Sequence, residues 1–387
     1  MSIFKKTLSC AVLAALGTCA LAGCGRQDTS NEATTSASPE ASAAITETVN
    51  ESTAASEQTP TPGTQSTQPA DVTSEADKDK ASTPFGQHGA LHVENGKLTD
   101  ADGNTVQLYG MSTHGIAWFP QYINYDSFRT LRDDWNTNCI RLAMYTAEYG
   151  GYCAGGDKEQ LKQLVRDGVS YATELGMYVI VDWHILSDCD PNQNKDEAIA
   201  FFREMSEAFA DNDNVLYEIC NEPNSGTSWD SIKSYAEEVI PVIREQKPDA
   251  VILVGTPTWS QEIDKAAASP LTFDNIMYTL HFYAGTHKDD LRNRLETCAQ
   301  NNLPVFVSEF GMCDASGNGA NDFDSTTKWL DLLNKYQISF CCWNLANKDE
   351  SSSVFKAAST ALFDWTDEDF NESGRWIRDY FRSMPRN

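Results

Sequence analysis

Short apolar runs recur along the second part of the chain, and they are its clearest pattern. Eight of them are rich in β-branched and aromatic residues, and segments with helical spacing separate most of them. Most runs are continuous instead of alternating, which is typical of parallel strands covered on both faces. The predicted strands are Val106–Met111, Cys139–Met144, Tyr178–Trp183, Val215–Ile219, Val251–Val254, Met277–Phe282, Val305–Ser308 and Ser339–Trp343.

Helical segments lie between these strands. Asp157–Leu175, Ser228–Gln246 and Asp322–Tyr336 carry apolar residues at helical spacing, and the first of them ends at Gly176. Strands that alternate with helices over about 300 residues indicate an α/β fold, a (β/α)8 TIM barrel. An open doubly wound sheet is the alternative. It predicts a Gly-rich phosphate loop after an early strand, and the sequence has none.

A small β-hairpin is predicted before the barrel, within residues 91–108. Its strands begin at Leu91 and Lys97, and an Asn-Gly turn at 95–96 and an Asp-Gly turn at 102–103 separate its segments. Both dipeptides are strong turn formers. We expect the hairpin to act as a plug of the barrel.

Residues 1–24 have the features of a lipoprotein signal peptide. Lys5 and Lys6 supply a positive start, residues 8–21 are mostly apolar and small, and Leu-Ala-Gly-Cys at 21–24 resembles a bacterial lipobox. Cys24 is then the lipid-modified residue. An uncleaved membrane helix is the alternative, but the apolar stretch is short for a span. The sequence thus predicts a secreted, cell-envelope lipoprotein that faces the outside. Whether it is shed stays open.

Residues 25–84 form the predicted linker. They are mainly Ser, Thr, Ala, Glu, Gln and Pro, with almost no large apolar side chains. Such a segment buries too little surface to offset its ordering entropy, so we expect it to be disordered. As a flexible coil it would span on the order of 40–45 Å. Residues 85–387 are then the catalytic barrel, and a monomer is expected.

The charge of the chain excludes some ligands. The formal net charge is −27, and residues 85–387 hold 46 acidic against 24 basic residues. A surface this acidic disfavours nucleic acid and anionic polymers as ligands and is compatible with a neutral substrate.

The cysteines suggest no zinc site and no disulfide framework of a small scaffold. Cys139, Cys220, Cys341 and Cys342 fall in predicted strands, where they are interpreted as small buried hydrophobes. Cys153 and Cys189 fall in neighbouring loops and could pair, since export permits disulfides. Spacing alone leaves their state open.

Two glutamates carry the predicted chemistry. Glu222 follows the strand at 215–219, and Glu309 follows the strand at 305–308, so both stand at carboxyl ends of strands. In a barrel these ends form one rim, where active sites lie. Cleavage of a glycosidic bond needs two carboxyl groups. We expect Glu222 to donate the proton to the leaving oxygen and Glu309 to act as the nucleophile.

Other strand-end residues fit supporting roles. Arg141 supplies positive charge and hydrogen bonds that would keep Glu309 ionised. Tyr283 could donate a hydrogen bond to the same carboxylate, and His281 could orient the proton donor. Asn221 could hydrogen-bond the 2-hydroxyl of the sugar.

Three tryptophans near the rim offer flat apolar faces on which pyranose rings can stack. They are Trp118, Trp259 and Trp343. Filling of the core is the alternative role for each of them.

The same strand ends carry a set of motifs in a fixed order. The motifs are Ser-Thr-His-Gly at 112–115, Ile-Arg-Leu-Ala-Met-Tyr at 140–145, Val-Asp-Trp-His-Ile-Leu at 181–186, Tyr-Glu-Ile at 217–219 with Asn-Glu-Pro-Asn at 221–224, Val-Gly-Thr-Pro-Thr-Trp-Ser-Gln at 254–261, His-Phe-Tyr-Ala-Gly-Thr-His at 281–287, and Glu-Phe-Gly at 309–311 with Trp-Asn-Leu-Ala-Asn-Lys at 343–348. Together they resemble glycoside hydrolase family 5, and within it the bacterial endo-β-1,4-glucanases. The resemblance covers about residues 88–387.

The resemblance implies a retaining mechanism through a covalent glycosyl-enzyme, with cellulose or related β-1,4-glucans as substrate and no cofactor or metal. Glu222 matches the acid/base of the family, and Glu309 matches its nucleophile. Residues that match the surround of this pair are Arg141, His184, Asn221, His281 and Tyr283. Residues that match sugar-contacting positions are Trp343, Lys348, His114, Trp118 and Tyr145, the last three on the glycone side.

Three alternatives remain from the sequence. The same fold and mechanism could act on mannan, xylan or xyloglucan. A metal-dependent hydrolase could use His114, His184, His281 and the two glutamates, although no His-x-His stands at the first strand end and no helical His pair has metal spacing. A non-catalytic surface lipoprotein could bind glucan, although pure stacking does not need a proton donor.

Overall fold

The computed structural model describes residues 80–385, and the observations below concern this part of the chain. The predicted signal peptide with Cys24, and nearly all of the predicted linker, lie outside the described residues. Within residues 80–385, no helix is both long and apolar enough to cross a membrane.

Eight parallel strands close into a barrel, so the predicted (β/α)8 fold is confirmed and the open sheet is wrong. The barrel order is β10-β3-β4-β5-β6-β7-β8-β9. The barrel strands are β3 Tyr109–Thr113, β4 Cys139–Tyr145, β5 Tyr178–His184, β6 Val215–Glu218, β7 Ile252–Val254, β8 Ile276–Tyr283, β9 Val305–Gly311 and β10 Phe340–Leu345.

Helices surround the barrel and bury their apolar faces against it. The helices of the described part are α1 Pro84–His88, α2 Tyr125–Asp133, α3 Lys158–Glu174, α4 Lys195–Ala208, α5 Trp229–Arg244, α6 Ile263–Ala268, α7 Asp289–Gln300, α8 Phe323–Tyr336 and α9 Glu372–Ser383, with 3-10 turns at Pro120–Tyr122 and Pro191–Asn194 and a single irregular turn at Pro257–Ser260. Trp329 of α8 stacks on Phe282 of β8, with ring centroids 4.0 Å apart. Burial of one such side chain contributes about 1.5–3 kcal/mol.

The predicted hairpin is also present. Its strands β1 His92–Glu94 and β2 Lys97–Thr99 pair antiparallel around the Asn95-Gly96 turn. Leu91 and Leu98 pack with residues from the amino ends of the barrel strands, among them Tyr178. The hairpin therefore covers the end of the barrel that is opposite the carboxyl rim.

The first barrel strand begins three residues later than the sequence pattern predicts. Residues 105–108 are apolar enough to be taken for strand, but they belong to the hairpin connection instead. Thr105 forms a bridge with Thr99, and the backbone N–H of Val106 donates to the carbonyl of Leu98 at 2.9 Å. The N–H of Leu108 donates to the hydroxyl of Ser339 at 2.9 Å.

The short helix α1 begins at the predicted domain boundary. The Thr83 hydroxyl caps it by accepting a hydrogen bond of 3.1 Å from the Gly86 N–H. Pro84, the first residue of the helix, is buried. A linker that ends at residue 84 therefore extends into this helix, which packs on the barrel through Phe85 and Tyr178 with ring centroids 5.7 Å apart.

The eight cysteines of the described part are free thiols. Cys139, Cys220, Cys341 and Cys342 are buried, as predicted. The disulfide that the sequence left open between Cys153 and Cys189 is not formed; the Sγ atom of Cys189 contacts Ser225 instead.

Candidate active site

A cavity of about 610 Å³ opens at the carboxyl ends of the strands. Most of the predicted site residues line it. Its lining residues are His114, Tyr145, His184, Leu186, Glu222, Trp259, Gln261, His281, Tyr283, His287, Glu309, Ala315, Ser316, Gly317, Trp343, Lys348 and Glu350. Arg141 and Asn221 lie beneath this surface, fully or almost fully buried. Trp118, which the sequence also predicts to contact sugar, is exposed but is not one of the residues that line the cavity.

Strand register explains why residues far apart in the sequence meet here. Tyr145 of β4 pairs with His184 of β5, and His281 of β8 pairs with Glu309 of β9. Because the strands are parallel, their last residues reach the same edge of the barrel. Glu222 comes four residues after the end of β6, at the same edge.

The two predicted catalytic carboxylates are close neighbours. One carboxylate oxygen of Glu222 and one of Glu309 lie within 4.8 Å of each other, and both side chains are almost buried. A sugar bond between them would be within reach of both groups.

Glu309 is held by donors on both oxygens. The guanidinium of Arg141 donates to Oε2 at 3.2 Å, and the hydroxyl of Tyr283 donates to Oε1 at 2.8 Å. Burial, and then the charges of Glu309 and Glu222, raise the pKa of Tyr283 well above its usual range, so the phenol keeps its proton. Gly311 permits this contact, since a Cβ there would lie 2.3 Å from the Tyr283 ring. The contacts that the sequence predicts from Arg141 and Tyr283 to Glu309 are therefore present, and their roles in catalysis stay predictions.

Glu222 contacts a charged histidine. Its Oε1 lies 2.9 Å from Nδ1 of His281, as the sequence predicts. Burial alone would lower the pKa of His281, but the Glu218 carboxylate 3.8 Å away, the hydrogen bond to Glu222 and the charge of Glu309 raise it to about 9. The imidazolium therefore donates a hydrogen bond to Glu222 at neutral pH.

Arg141 is the centre of a buried network of acids. Besides Glu309, its guanidinium contacts Glu218 at 2.7 Å and Asp182 at 3.0 Å. Burial would raise the pKa of Glu218, yet the charge of Arg141 and the nearby His281, 3.8 Å away, lower it to about 2. Burial raises the pKa of Asp182 well above its usual range, although Arg141 opposes this. The network buries more negative than positive charge, unless Asp182 is protonated.

The sequence reasoning did not assign roles to Asp182 and Glu218. A signal was present, since Glu218 is an acid at the end of the otherwise apolar run that precedes Glu222. Neither residue lines the cavity, so both act through other side chains.

Asn221 and His184 have fixed orientations. Arg141 can only donate, so the amide oxygen of Asn221 accepts from it at 2.6 Å. The amide nitrogen of Asn221 then donates to Nε2 of His184 at 3.2 Å. The Nδ1–H of His184 is left to donate to Asp182 at 2.6 Å. This assignment makes His184 neutral, in agreement with burial, which lowers its pKa to about 3.

Aromatic rings form the floor and one side of the cavity. Trp343 stacks on His184 with ring centroids 5.3 Å apart and a tilt of 17°. Trp118 packs on Tyr145 at 4.7 Å between centroids. Gly115 makes room for these rings, since a Cβ there would lie 2.6 Å from Trp118.

Trp259 stands apart at the other side of the cavity, with 45% of its surface exposed. It lies in a turn of left-handed backbone, with φ of 61° at Thr258, 54° at Trp259 and 53° at Ser260. Three successive non-glycine residues in this region are strained, and such strain clusters at functional sites. The Ser260 hydroxyl, which donates to the carbonyl of Asn221 at 2.6 Å, ties the turn to the site.

Lys348 reaches the cavity from the loop after β10. It pairs with Glu350 at 2.6 Å and lies 3.4 Å from Nε2 of His114. Burial, and then the charge of Lys348, lower the pKa of His114 to about 3, so this ring is neutral. Glu350 is a further lining residue that the sequence reasoning missed, because it lies in a polar loop without a pattern.

Only one group in residues 80–385 brings three metal-type side chains close enough for a shared ion. It consists of Glu222, His281 and Glu309. His114 and His184, which a histidine-based metal site would need, do not belong to it. The Nδ1 atom of His281 already bonds Glu222, so this group is better suited to proton transfer than to metal binding.

Comparisons with known proteins agree with this site. The family model described as cellulase, glycosyl hydrolase family 5, matches residues 99–349. Endoglucanase A of Butyrivibrio fibrisolvens is 50% identical over 300 residues, which cover 77% of this chain and 70% of that protein. An endoglucanase of Clostridium saccharobutylicum is 47% identical over 301 residues, which cover 77% of this chain and 66% of that protein.

Solved structures give the same result. The catalytic domain of Thermobifida fusca endoglucanase Cel5A, crystallised as a variant with cellotetraose, is 42% identical and has a TM-score of 0.74. The match covers 78% of this chain and all of that domain. Together with the barrel and its paired glutamates, these similarities show that the chain belongs to glycoside hydrolase family 5.

Proposed function

We propose that this protein is a retaining endo-β-1,4-glucanase that hydrolyses internal bonds of cellulose and related β-glucans. The observation that carries the proposal is the pair Glu222 and Glu309, whose carboxylate oxygens lie within 4.8 Å in different surroundings. Glu309 has a cationic donor and a phenol on its two oxygens, which favours an ionised nucleophile. Glu222 has one oxygen bonded to His281, and its other oxygen can carry a proton.

The first step forms a covalent glycosyl-enzyme. The carboxylate of Glu309 attacks the anomeric carbon while Glu222 transfers its proton to the glycosidic oxygen. The bond between the anomeric carbon and that oxygen breaks, and the sugar chain on the leaving side departs as an alcohol. Trp343, which lines the cavity, is proposed to lie under the reacting sugar. Both amide hydrogens of Asn221 already bond His184 and the carbonyl of Ile185, so Asn221 is proposed to contact the 2-hydroxyl only by accepting a hydrogen bond through its amide oxygen.

The second step hydrolyses the intermediate. Glu222, now a carboxylate, takes a proton from water, and the hydroxide oxygen attacks the anomeric carbon. The bond to Glu309 breaks, and both carboxyl groups return to their starting protonation states. Two inversions give net retention.

The spacing of the carboxylates supports retention. In retaining glycosidases the two carboxyl groups are about 5–5.5 Å apart, whereas inverting enzymes leave room for a water with about 6.5–9.5 Å. A closest approach within 4.8 Å between Glu222 and Glu309 fits the shorter class.

The proposed substrate follows from the relatives and from the cavity. The relatives named above are endoglucanases, and one of them was crystallised with cellotetraose. In this chain, Trp259, Trp343 and Tyr145 line the same cavity as the glutamates, and the exposed Trp118 packs on Tyr145. Such a cleft can hold several stacked sugars, as cleavage within a chain requires.

The proposal is tested by assays on pure polysaccharides with matched variants. We expect release of reducing ends from carboxymethylcellulose and mixed-linkage β-glucan, with much lower initial rates on mannan and xylan. Glu222→Gln and Glu309→Gln should each lower kcat on carboxymethylcellulose by at least about 10³-fold. The control Glu245→Gln, an exposed position after α5, should keep full activity.

Two results would contradict the proposal. One is near-normal hydrolysis of carboxymethylcellulose by either glutamine variant. The other is a preference for mannan, xylan or xyloglucan over β-glucan, which would keep the mechanism and change the substrate. Loss of activity after treatment with EDTA would instead support a metal-dependent enzyme.

We also propose that the protein is a lipoprotein of the cell envelope, with Cys24 as the lipidated residue. The sequence of residues 21–24 and the apolar stretch before it support this. In cells that express the full chain and are fed labelled palmitate, the protein should carry the label and should sediment with membranes. Cys24→Ser should lose the label. A labelled Cys24→Ser protein, or an unlabelled wild type, would contradict the lipid anchor.

A further inference from the structure

Two buried side chains outside the substrate cavity connect the predicted proton donor with the predicted nucleophile. We infer that Glu218 and Ser308 are positioning residues that hold His281 as a hydrogen-bond donor to Glu222, and that Glu218 links this arrangement to Glu309. The inference rests on the proposed function above. It adds the residues that keep His281 protonated and hydrogen-bonded to the proton donor Glu222.

The first half of the connection runs from Glu222 into the barrel. Nδ1 of His281 lies 2.9 Å from Glu222, and Nε2 of the same ring lies 2.9 Å from the hydroxyl of Ser308. That hydroxyl donates to Oε1 of Glu218 at 2.7 Å. Glu218 and Ser308 are fully buried, so water does not compete for these bonds.

The directions of these hydrogen bonds follow from the groups themselves. The carboxylate of Glu218 can only accept a hydrogen bond, so the Ser308 hydroxyl donates its hydrogen to Glu218. Its oxygen must then accept from His281, which places a proton on Nε2. A neutral ring with that proton would have a bare Nδ1, which would accept the proton of Glu222 and hold it away from the substrate. Only the imidazolium donates on both sides.

The negative charge of Glu218 favours that imidazolium. The acids around His281 are Glu218, Glu222 and Glu309, with Asp182 also close enough to interact with its charge. Arg141 pairs with Glu218, Glu309 and Asp182. The raised pKa of His281, about 9 in spite of burial, agrees with this geometry.

The second half of the connection leads to the nucleophile. Oε2 of Glu218 accepts from Nε of Arg141 at 2.7 Å, and Nη1 of Arg141 donates to Glu309 at 3.2 Å. One oxygen of Glu218 is thus linked to Glu222 through Ser308 and His281, and the other is linked to Glu309 through Arg141. If its charge were removed, Arg141 would be attracted more strongly to Glu309, which would make that carboxylate a weaker nucleophile.

A β-bulge makes the arrangement possible. The register between β8 and β9 shifts between Thr279 and His281, so that Thr279 pairs with Phe306 and His281 with Glu309. Strand β9 therefore carries an extra residue, whereas consecutive residues of a regular strand face opposite sides. The bulge lets Ser308 contact His281 while the next residue, Glu309, still faces the cavity.

The test compares pH profiles of hydrolysis of a soluble β-glucan by full-length wild type, Ser308→Ala and Ser339→Ala. Ser339 is a matched control, since it is a buried hydroxyl that bonds one backbone N–H at the other end of the barrel. We expect Ser308→Ala to lower kcat roughly tenfold, with little change in KM, and to move the alkaline limb of kcat/KM down by about one pH unit. Glu218→Gln should move the limb in the same direction. Ser339→Ala should leave the limb in place, even if its Tm falls.

The outcomes separate this inference from the proposed function. A wild type that does not hydrolyse β-glucan would contradict the proposed function. A wild type that does, together with a folded Ser308→Ala variant whose alkaline limb is unchanged, would overturn only the role of Ser308 and Glu218. A shift of the same size in Ser339→Ala would overturn it as well, because the effect would then be structural.

Discussion

The hydroxyl of Tyr283 lies 2.8 Å from Oε1 of Glu309 and donates its hydrogen bond across two neighbouring strands. The contact depends on Gly311, where any side chain would collide with the tyrosine ring. Tyr283 also lines the cavity, so the same phenol can contact both the nucleophile and the sugar.

Replacement of this tyrosine should weaken the nucleophile without loss of the fold. We expect Tyr283→Phe to lower kcat/KM for β-glucan by roughly 10- to 100-fold, because Glu309 loses one of its two side-chain donors. The KM should change little, since the lost donor contacts the nucleophile, and circular dichroism should show an intact fold. A normal kcat/KM would exclude this role.

Trp259 should contribute to substrate binding more than to bond cleavage. It lines the cavity and is 45% exposed, so its ring is accessible for stacking by a sugar. Trp259→Ala should raise KM for a long cello-oligosaccharide by roughly 2- to 10-fold, since stacking on one aromatic ring contributes about 0.5–1.5 kcal/mol. Phe363 is the matched control, because it is equally exposed at 45% and does not line the cavity. Equal effects of Trp259→Ala and Phe363→Ala would contradict a binding role.

Stability should decrease at alkaline pH through His281. Its pKa is raised from 6.5 to about 9 in the folded protein, so its contribution is complete below about pH 6.5 and is lost as pH rises through 9. Other groups titrate in the same range, so the variant His281→Asn provides the comparison. The fall in Tm between pH 6.5 and 9 should be smaller in His281→Asn than in wild type. Equal slopes would contradict the charged state of this ring.

Stability should also decrease at acid pH through Glu218. The pKa of this carboxyl is lowered from 4.5 to about 2, so its contribution is present above about pH 4.5 and is lost as pH falls toward 2. Thermal unfolding of Glu218→Gln should therefore depend less on pH between 4.5 and 2 than unfolding of the wild type. If both proteins lose Tm in parallel over this range, Glu218 is not ionised in the fold.

The sequence was sufficient to predict the barrel and the main site residues. Continuous apolar runs identify buried parallel strands, and the closed sheet brings their last residues together. Glu222, Glu309, Arg141 and His281 could therefore be placed from strand ends alone. Contacts such as the one between Arg141 and Glu309 follow because all the strand ends meet at the same rim of the barrel.

The residues that the sequence did not identify depend on features with no local signal. Ser308 has a role because a bulge turns it toward His281, and an apolar run does not reveal where a bulge falls. Glu350 lies in a polar loop whose path depends on packing. The predicted start of β3 was wrong for a similar reason. Val106 bonds the hairpin through Leu98, and the N–H of Leu108 bonds the side chain of Ser339 instead of a neighbouring strand.

The most direct test of retaining hydrolysis by Glu222 and Glu309 is the anomeric configuration of the first product. Cellopentaose is cleaved by wild-type enzyme inside an NMR tube, and the anomeric proton signals are followed before mutarotation. We expect the β-anomer to accumulate first and the α-anomer to appear later at the rate of mutarotation. Initial accumulation of the α-anomer would contradict a covalent intermediate on Glu309.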